Sequence, residues 1–225
     1  MNAACNCRRI LLIRHGETAA NEERRYCGSW DIPLSEQGRR HVLRTAAHNA
    51  VRSAAASFRG GTVIVYASPL MRAVETASLL FPQARVVPVP GFAEMDFGAF
   101  EQHTAAELAA DARYRAWVDS GCTRVCPGGE SKSAFQKRVC AAFRSLPLFA
   151  EDDAPTAAAE ELPYLIITAH GGTIMALCEQ FLRGTAYFDV KIPNCGIAET
   201  VLRRRGAEQG GAADMFFSDM RLYGV

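Results

Sequence analysis

Two short apolar runs in this chain end on the same pair of residues. Ile10-Leu11-Leu12-Ile13 leads into Arg14-His15-Gly16-Glu17-Thr18, and Leu165-Ile166-Ile167-Thr168 leads into Ala169-His170-Gly171-Gly172. Each reads as a buried strand that stops and hands the chain to a loop carrying an imidazole. In open α/β sheets ligands sit beyond the carboxyl ends of the strands, so neighbouring strands would bring His15 and His170 to one crevice. Arg14 adds a cation whose forked donors suit phosphate or carboxylate. Arg72 adds a second, in the opening turn of a helix expected to start at Ser68-Pro69, with serine as cap and proline at the first helical position. Backbone N–H groups there already favour an anion. Gly16 is expected to let the backbone turn sharply and approach a ligand closely.

Composition bounds the rest. At 225 residues the chain suits one domain with room for an inserted lid. Apolar content of 49% and charged content of 22% are those of a soluble globular protein. A net charge of +1 gives no argument for nucleic acid or a membrane surface. No run reaches the roughly 18 apolar residues of a spanning helix. Residues 1–9 lack the apolar core of a signal peptide, so a cytoplasmic protein is expected. The eight cysteines form no pair of Cys-x-x-Cys motifs, which argues for reduced thiols and against zinc. Cys5 and Cys7 are expected to be the most reactive, and Cys122 with Cys126 is the other close pair.

The elements that must position these residues alternate. A helix is predicted from Ser35 as N-cap, with Leu43, Ala47, Ala50, Ala54 and Phe58 on one apolar face, closed by Gly60-Gly61. Its His41 and His48 read as ordinary helix histidines. Residues 62–67 predict a buried strand, and residues 85–89 an edge strand because of Pro88. Glu94 and Glu101 fall in an irregular segment. Thr104-Ala105-Ala106-Glu107 is a capping box opening a helix that reaches about Val118, and another helix is predicted over 131–146. Residues 151–163 read as an exposed linker. A helix after Gly172 closes at Gly184. Two late strands, 196–202 and 215–218, flank a hairpin loop over 203–213. The alternation predicts an α/β three-layer sandwich, a mainly parallel sheet with helices on both faces.

Together these pieces resemble the histidine phosphatase superfamily, also called phosphoglycerate mutase-like. The likeness is carried by Arg14-His15-Gly16-Glu17-Thr18, Asn21, the Gly28/Asp31/Leu34 loop, Ser68-Pro69-Leu70-Met71-Arg72-Ala73, Glu94, Phe97-Gly98, Pro127-Gly128-Gly129-Glu130-Ser131 and His170-Gly171-Gly172. The resemblance implies one domain over residues 1–225, with a lid-like insertion at about 93–129 over the carboxyl ends of the strands. It also implies a metal-independent enzyme, without cofactor, that forms a phosphohistidine on His15. Arg14, Arg72 and His170 would form the phosphate pocket, with Asn21 at its edge. Thr18, Gly28 and Gly171 would be further substrate-binding positions, and Glu94 the general acid/base. The chemistry agrees. Nearby guanidiniums disfavour imidazolium and keep His15 nucleophilic. Arg14 and Arg72 offer forked donors to phosphoryl oxygens. An enclosed Glu94 can stay protonated until the leaving oxygen needs a proton.

Within the family, only about thirty residues separate Glu94 from Pro127-Gly128-Gly129, which favours phosphatases over mutases with their longer insertion. Residues 94–101 resemble the small bacterial phosphatases, including α-ribazole phosphatases. They depart where that branch shows Trp-Glu-Gly, having Phe100-Glu101-Gln102, with His103 beside them as a further candidate contact. The partner expected is therefore a small-molecule phosphate ester, α-ribazole 5′-phosphate being one candidate. A mutase and a non-catalytic phospholigand-binding protein are the competing readings. The oligomeric state stays open, a dimer included.

Overall fold

The computed structural model describes residues 6–149, 163–205 and 214–224. A six-stranded sheet organises them in the order β3-β2-β4-β1-β5-β6. The strands are β1 (Asn6–Arg14), β2 (Ile64–Ala67), β3 (Arg85–Pro88), β4 (Leu165–Ala169), β5 (Ile197–Arg205) and β6 (Asp214–Tyr223). The first four run parallel, and β5 is antiparallel to both its neighbours. β1 and β4 are adjacent, with Ile13 opposite Thr168 and Arg14 opposite Ala169, so the two His-Gly ends meet. The helices are α1 (Ala19–Glu22), α2 (Glu36–Thr45), α3 (Asn49–Ala56), α4 (Met71–Leu80), α5 (Ala105–Leu108), α6 (Ala112–Asp119), α7 (Lys132–Arg144) and α8 (Gly171–Phe181).

Alternation along β1 builds both outer layers, because successive side chains point to opposite faces. Ile10 and Leu12 pack with Phe135 and Val139 of α7 and Ile174 and Leu177 of α8. Leu11 and Ile13 pack with Val42 of α2, Val51 of α3 and Ala77 of α4. All four strand residues are fully buried, so the run has no polar side and reads as unbroken apolar sequence. The fold is the α/β three-layer sandwich the alternation predicts.

Several local expectations are corrected. The helix predicted from Ser35 is two helices: α2 ends at Thr45, and the His48 side chain caps α3 by accepting from the Ala50 N–H at 3.2 Å. The break resets the helical phase, so Leu43 is 55% exposed while Val42, Thr45 and Val51 are buried. The Thr104/Glu107 capping box forms, but α5 is a single turn, and Asp111 caps a separate α6. Ser68 does not cap α4, which starts at Met71 after Leu70; its hydroxyl is engaged with His170. The late strands run farther into the expected hairpin loop, whose residues 206–213 lie outside the described residues, as do 151–162 of the expected linker and Cys5. Pro88 does stand on the edge strand. No disulfide forms among the described cysteines. No helix of the described residues is long and apolar enough to cross a membrane.

Residues 93–129 carry α5, α6 and a 3₁₀ turn, Gly98–Phe100. Phe97, Phe100, Tyr114 and Trp117 from this segment cluster around one another, and Tyr26 joins them from the loop after α1. The Tyr26 and Tyr114 hydroxyls share a hydrogen bond of 2.9 Å. An aromatic cluster thus ties this segment to the nucleophile side of the molecule.

Candidate active site

His15 stands where β1 ends, its backbone N–H donating to the Ala169 carbonyl at 2.9 Å. The residue is 4% exposed. Its Nδ1 lies 2.6 Å from the Gly16 carbonyl oxygen. A carbonyl only accepts, so Nδ1 carries the proton and the neutral ring keeps its lone pair on Nε2. Burial, then Arg72, then Arg14 hold His15 well below the ordinary histidine value of 6.5. The ring is therefore neutral near pH 7. Gly16 meets a different need from the one expected. A Cβ there would stand 2.6 Å from Val42 Cγ2, so the glycine lets α2 pack against the loop.

Behind His15 lies a buried polar layer. The His170 ring is centred 5.1 Å from that of His15. Its Nδ1 accepts from Arg72 Nε at 3.3 Å, which leaves Nε2 to donate to Ser68 Oγ at 2.6 Å. Arg72 is 1% exposed, and its other donors go to the Trp30, Gly28 and Cys27 carbonyls at 2.9, 2.8 and 3.3 Å. Four bonds use most of the five N–H groups of a guanidinium. The forked contact expected of Arg72 is thus made to protein carbonyls and His170, leaving one N–H over. The same loop is held from its other side by Glu101. That carboxylate accepts from the N–H groups of Gly28 at 2.9 Å, Ser29 at 2.8 Å, Trp30 at 3.4 Å and Phe97 at 3.1 Å. The loop gives its amides to a carboxylate and its carbonyls to a guanidinium.

In front of His15 opens a cavity of about 390 Å³. Arg14, His15, Asn21, Glu94, Gly171 and Gly172 form its polar wall; Tyr26, Phe97, Trp117, Met175, Tyr187 and Phe188 form an apolar one. Arg14 Nη1 donates to the Ile192 carbonyl at 2.8 Å, whereas its buried Nε has no partner among the described residues. Arg14 therefore keeps a whole buried donor nitrogen, Nε, unspent at the cavity wall. Glu94 accepts from the Met95 and Gly172 N–H groups, each at 2.9 Å, the latter at the start of α8. Burial nevertheless raises Glu94 above the ordinary 4.5, outweighing those bonds and the Arg72 and Arg14 charges. Arg138 of α7 fixes the backbone beneath it, donating to the Ala93 and Glu94 carbonyls at 2.8 Å each while pairing with Glu130 at 2.7 Å. Gly172 has no room for a side chain, because a Cβ would stand 2.3 Å from Glu94 Oε1. Gly172→Ala should displace the carboxylate and lower kcat by about 10²-fold, the cost of a misplacement near 1 Å. Steady-state kinetics beside a thermal melt check this: kcat must fall in protein that remains folded.

The structure therefore brings together Arg14, His15, Asn21, Glu94, Gly171 and Gly172, with Arg72 and His170 directly behind them. Thr18 and Gly28 do not line the cavity. Thr18 is fully buried, caps α1, and donates through Oγ1 to Asn21 Oδ1 at 3.1 Å; Gly28 serves Arg72 and Glu101. His103 is exposed, bonded to the Glu101 carbonyl, and absent from the wall. Sequence reasoning missed Asn194, whose Nδ2 donates to the His15 carbonyl at 3.1 Å and to Asn21 Oδ1 at 3.2 Å. It also missed Lys132, a wall residue whose Nζ lies 4.5 Å from the Tyr187 ring centre. Pro193-Asn194 signals a turn in sequence, but not what the turn touches.

Residues 10–210 match the family model of the histidine phosphatase superfamily, branch 1. The chain belongs to this family. A bifunctional protein of Mycobacterium tuberculosis is 39% identical over 136 residues, covering 58% of this chain but 35% of that protein. The chain thus matches about a third of that relative's length. A Proteus mirabilis protein named as a probable phosphoglycerate mutase is 29% identical over 197 residues, 84% of this chain and 82% of that one. The structure of an α-ribazole phosphatase from Shigella flexneri superposes with a TM-score of 0.66 at 23% identity, covering 93% of this chain and 95% of that chain. That last likeness is one of fold. It places the six-stranded, mostly parallel sheet of this chain within a shared architecture.

Proposed function

We propose that this histidine phosphatase hydrolyses small phosphate monoesters through a phosphohistidine on His15. One observation carries the reading: a buried, neutral imidazole, locked through Nδ1 to the Gly16 carbonyl, keeps a nucleophilic Nε2 within the field of Arg72 and Arg14. In the first step Nε2 attacks phosphorus, and an N–P bond forms as the ester P–O bond breaks. Arg14, with its unspent Nε, holds the charge on the phosphoryl oxygens. Glu94, whose protonated form burial favours, gives its proton to the departing oxygen. The resulting carboxylate then takes a proton from water. The hydroxide equivalent attacks phosphorus, the N–P bond breaks, and His15 returns neutral. No step calls for a metal.

The apolar wall suits an aromatic leaving group, and the Shigella relative's name offers α-ribazole 5′-phosphate as the candidate ester. This reading makes the protein a cytoplasmic enzyme of small molecules, with no nucleic-acid or membrane partner. The test is phosphate release from α-ribazole 5′-phosphate in chelator-treated buffer. A kcat/KM of about 10⁴ M⁻¹s⁻¹ or more fits a dedicated enzyme. Slow release would move the substrate elsewhere but keep the hydrolase. The name of the Proteus relative favours a second reading, phosphoglycerate mutase-type transfer. Incubation with a phosphoglycerate separates the two, since a mutase returns the isomer and little free phosphate.

The pH dependence follows from the two shifts. Activity falls on the acid side as His15 protonates through its depressed value, and on the alkaline side as Glu94 ionises through its raised one. Glu94→Gln should lower kcat/KM by about 10²–10⁴-fold. It should also remove the alkaline limb while leaving the acid limb in place. A pH–rate profile of both proteins checks each part.

A further inference from the structure

Three side chains that the phosphoryl chemistry does not use converge just past His15. Glu17 Oε1 lies 2.9 Å from His41 Nδ1 on α2. Cys195 Sγ lies 3.9 Å from Glu17 Oε2. One donor atom from each falls within 4.8 Å of the others. We propose that Glu17, His41 and Cys195 form a binding site for one thiophilic divalent cation of the zinc class, separate from the phosphoryl-transfer site.

Ligand chemistry selects the ion. Carboxylate, imidazole and thiolate together are a zinc donor set, with bonds of about 2.0–2.3 Å. Ligand atoms on one tetrahedral ion then stand about 3.3–3.6 Å apart, and the separations from Glu17 Oε2, 3.2 Å to His41 Nδ1 and 3.9 Å to Cys195 Sγ, straddle that range, so small rotations complete the site. Magnesium and calcium take oxygen donors and have no use for the sulfur or the imidazole. Cys195 is 1% exposed and anchors the site from the core. Glu17 and His41 keep side-chain exposures of 22% and 18%, which leaves water access to a fourth position.

The three donors lie close enough for one divalent ion to be shared between the Glu17 carboxylate, the His41 imidazole and the Cys195 sulfur. Binding forms a metal–sulfur bond as the thiol proton leaves to solvent, and the imidazole proton moves from Nδ1 to Nε2. The ion would clamp three pieces together. Glu17 accepts the Ser35 N–H through its carbonyl at 2.9 Å, and the Cys195 N–H donates to the His15 carbonyl at 3.1 Å. The ligands therefore join the start of α2 and the 194–195 turn to the nucleophile loop.

The test is titration of chelator-stripped, reduced protein with Co²⁺, read by the thiolate-to-cobalt charge-transfer absorption. One equivalent should bind, Zn²⁺ should displace it, Mg²⁺ should not, and Zn²⁺ should raise the thermal midpoint. Cys195→Ala and His41→Gln should each weaken binding by about 10²-fold, the upper range for disturbing a metal's surroundings. His41→Gln alters a partly exposed helix position, so it decides the question even if the buried Cys195→Ala does not fold. Absence of the band in the unaltered protein overturns the site. So does a band that survives His41→Gln unchanged, since other cysteines would then hold the cobalt.

Discussion

His15→Ala should abolish phosphate release, by about 10⁴-fold or more, the scale on which removal of a nucleophile acts. The reason lies in how much of the site serves one ring. Gly16 fixes the Nδ1 proton, Ala169 and Asn194 hold the backbone on either side of the residue, and Arg72 and Arg14 oppose its protonation. Removing the ring leaves those supports with nothing to position. Losses should therefore fail to add: Glu94→Gln on top of His15→Ala should cost little more than His15→Ala alone. Acid-labile phosphate on protein quenched during turnover is the direct readout, present in the unaltered enzyme and absent from the variant. If the unaltered protein never carries it, the chain binds phosphate ligands without transferring them.

Arg72→Ala should be damaging in two ways at once. Its guanidinium is the hub of the buried layer, joining His170 to the Cys27, Gly28 and Trp30 carbonyls. Truncation strands those acceptors in a dry interior, at about 1–3 kcal/mol for a buried unpaired group. A stability loss of about 3 kcal/mol or more is expected, read as a lower urea midpoint. Loss of the cation should also lower kcat by about 10²-fold or more, because Arg72 fixes the His170 ring and its charge helps keep His15 unprotonated. Arg72→Lys separates the effects. It restores the charge but cannot reach three carbonyls and an imidazole from one ammonium, so kcat should recover more than stability. Equal recovery of both would mean that the hydrogen-bond geometry of the layer matters little.

The parts of this molecule visible in sequence are those that local rules decide. Two apolar strands ending in His-Gly, the N-cap at Ser35, the capping box at Thr104, and Pro88 on an edge each follow from a few neighbouring residues. Arg14, His15 and His170 are legible at the ends of those strands, whereas Glu94 stands out only through the family motif. Errors arose where a local signal was used for something else. Ser68 has the form of a helix cap, but its hydroxyl accepts only from the Leu70 N–H ahead of the helix and also bonds His170, 102 residues away. Thr104 opens a helix, yet nothing in its box says that the helix ends one turn later. Contacts made across the chain left no local trace at all, as with Asn194 on His15 or Arg138 under Glu94.

The loop from Cys27 to Trp30 has a bearing on how such an enzyme changes its diet. Substrate choice in this architecture would naturally be revised by exchanging the segment over the cavity, with the reacting centre kept as an inherited constant. Here the two are not separate modules. Glu101 belongs to the exchangeable segment, yet it is the counterweight that holds the loop on which Arg72 hangs. A graft that brings new walls to the cavity also brings its own residue at position 101. Unless that residue is again an acid of the same reach, the borrowed specificity arrives with a slackened catalytic centre.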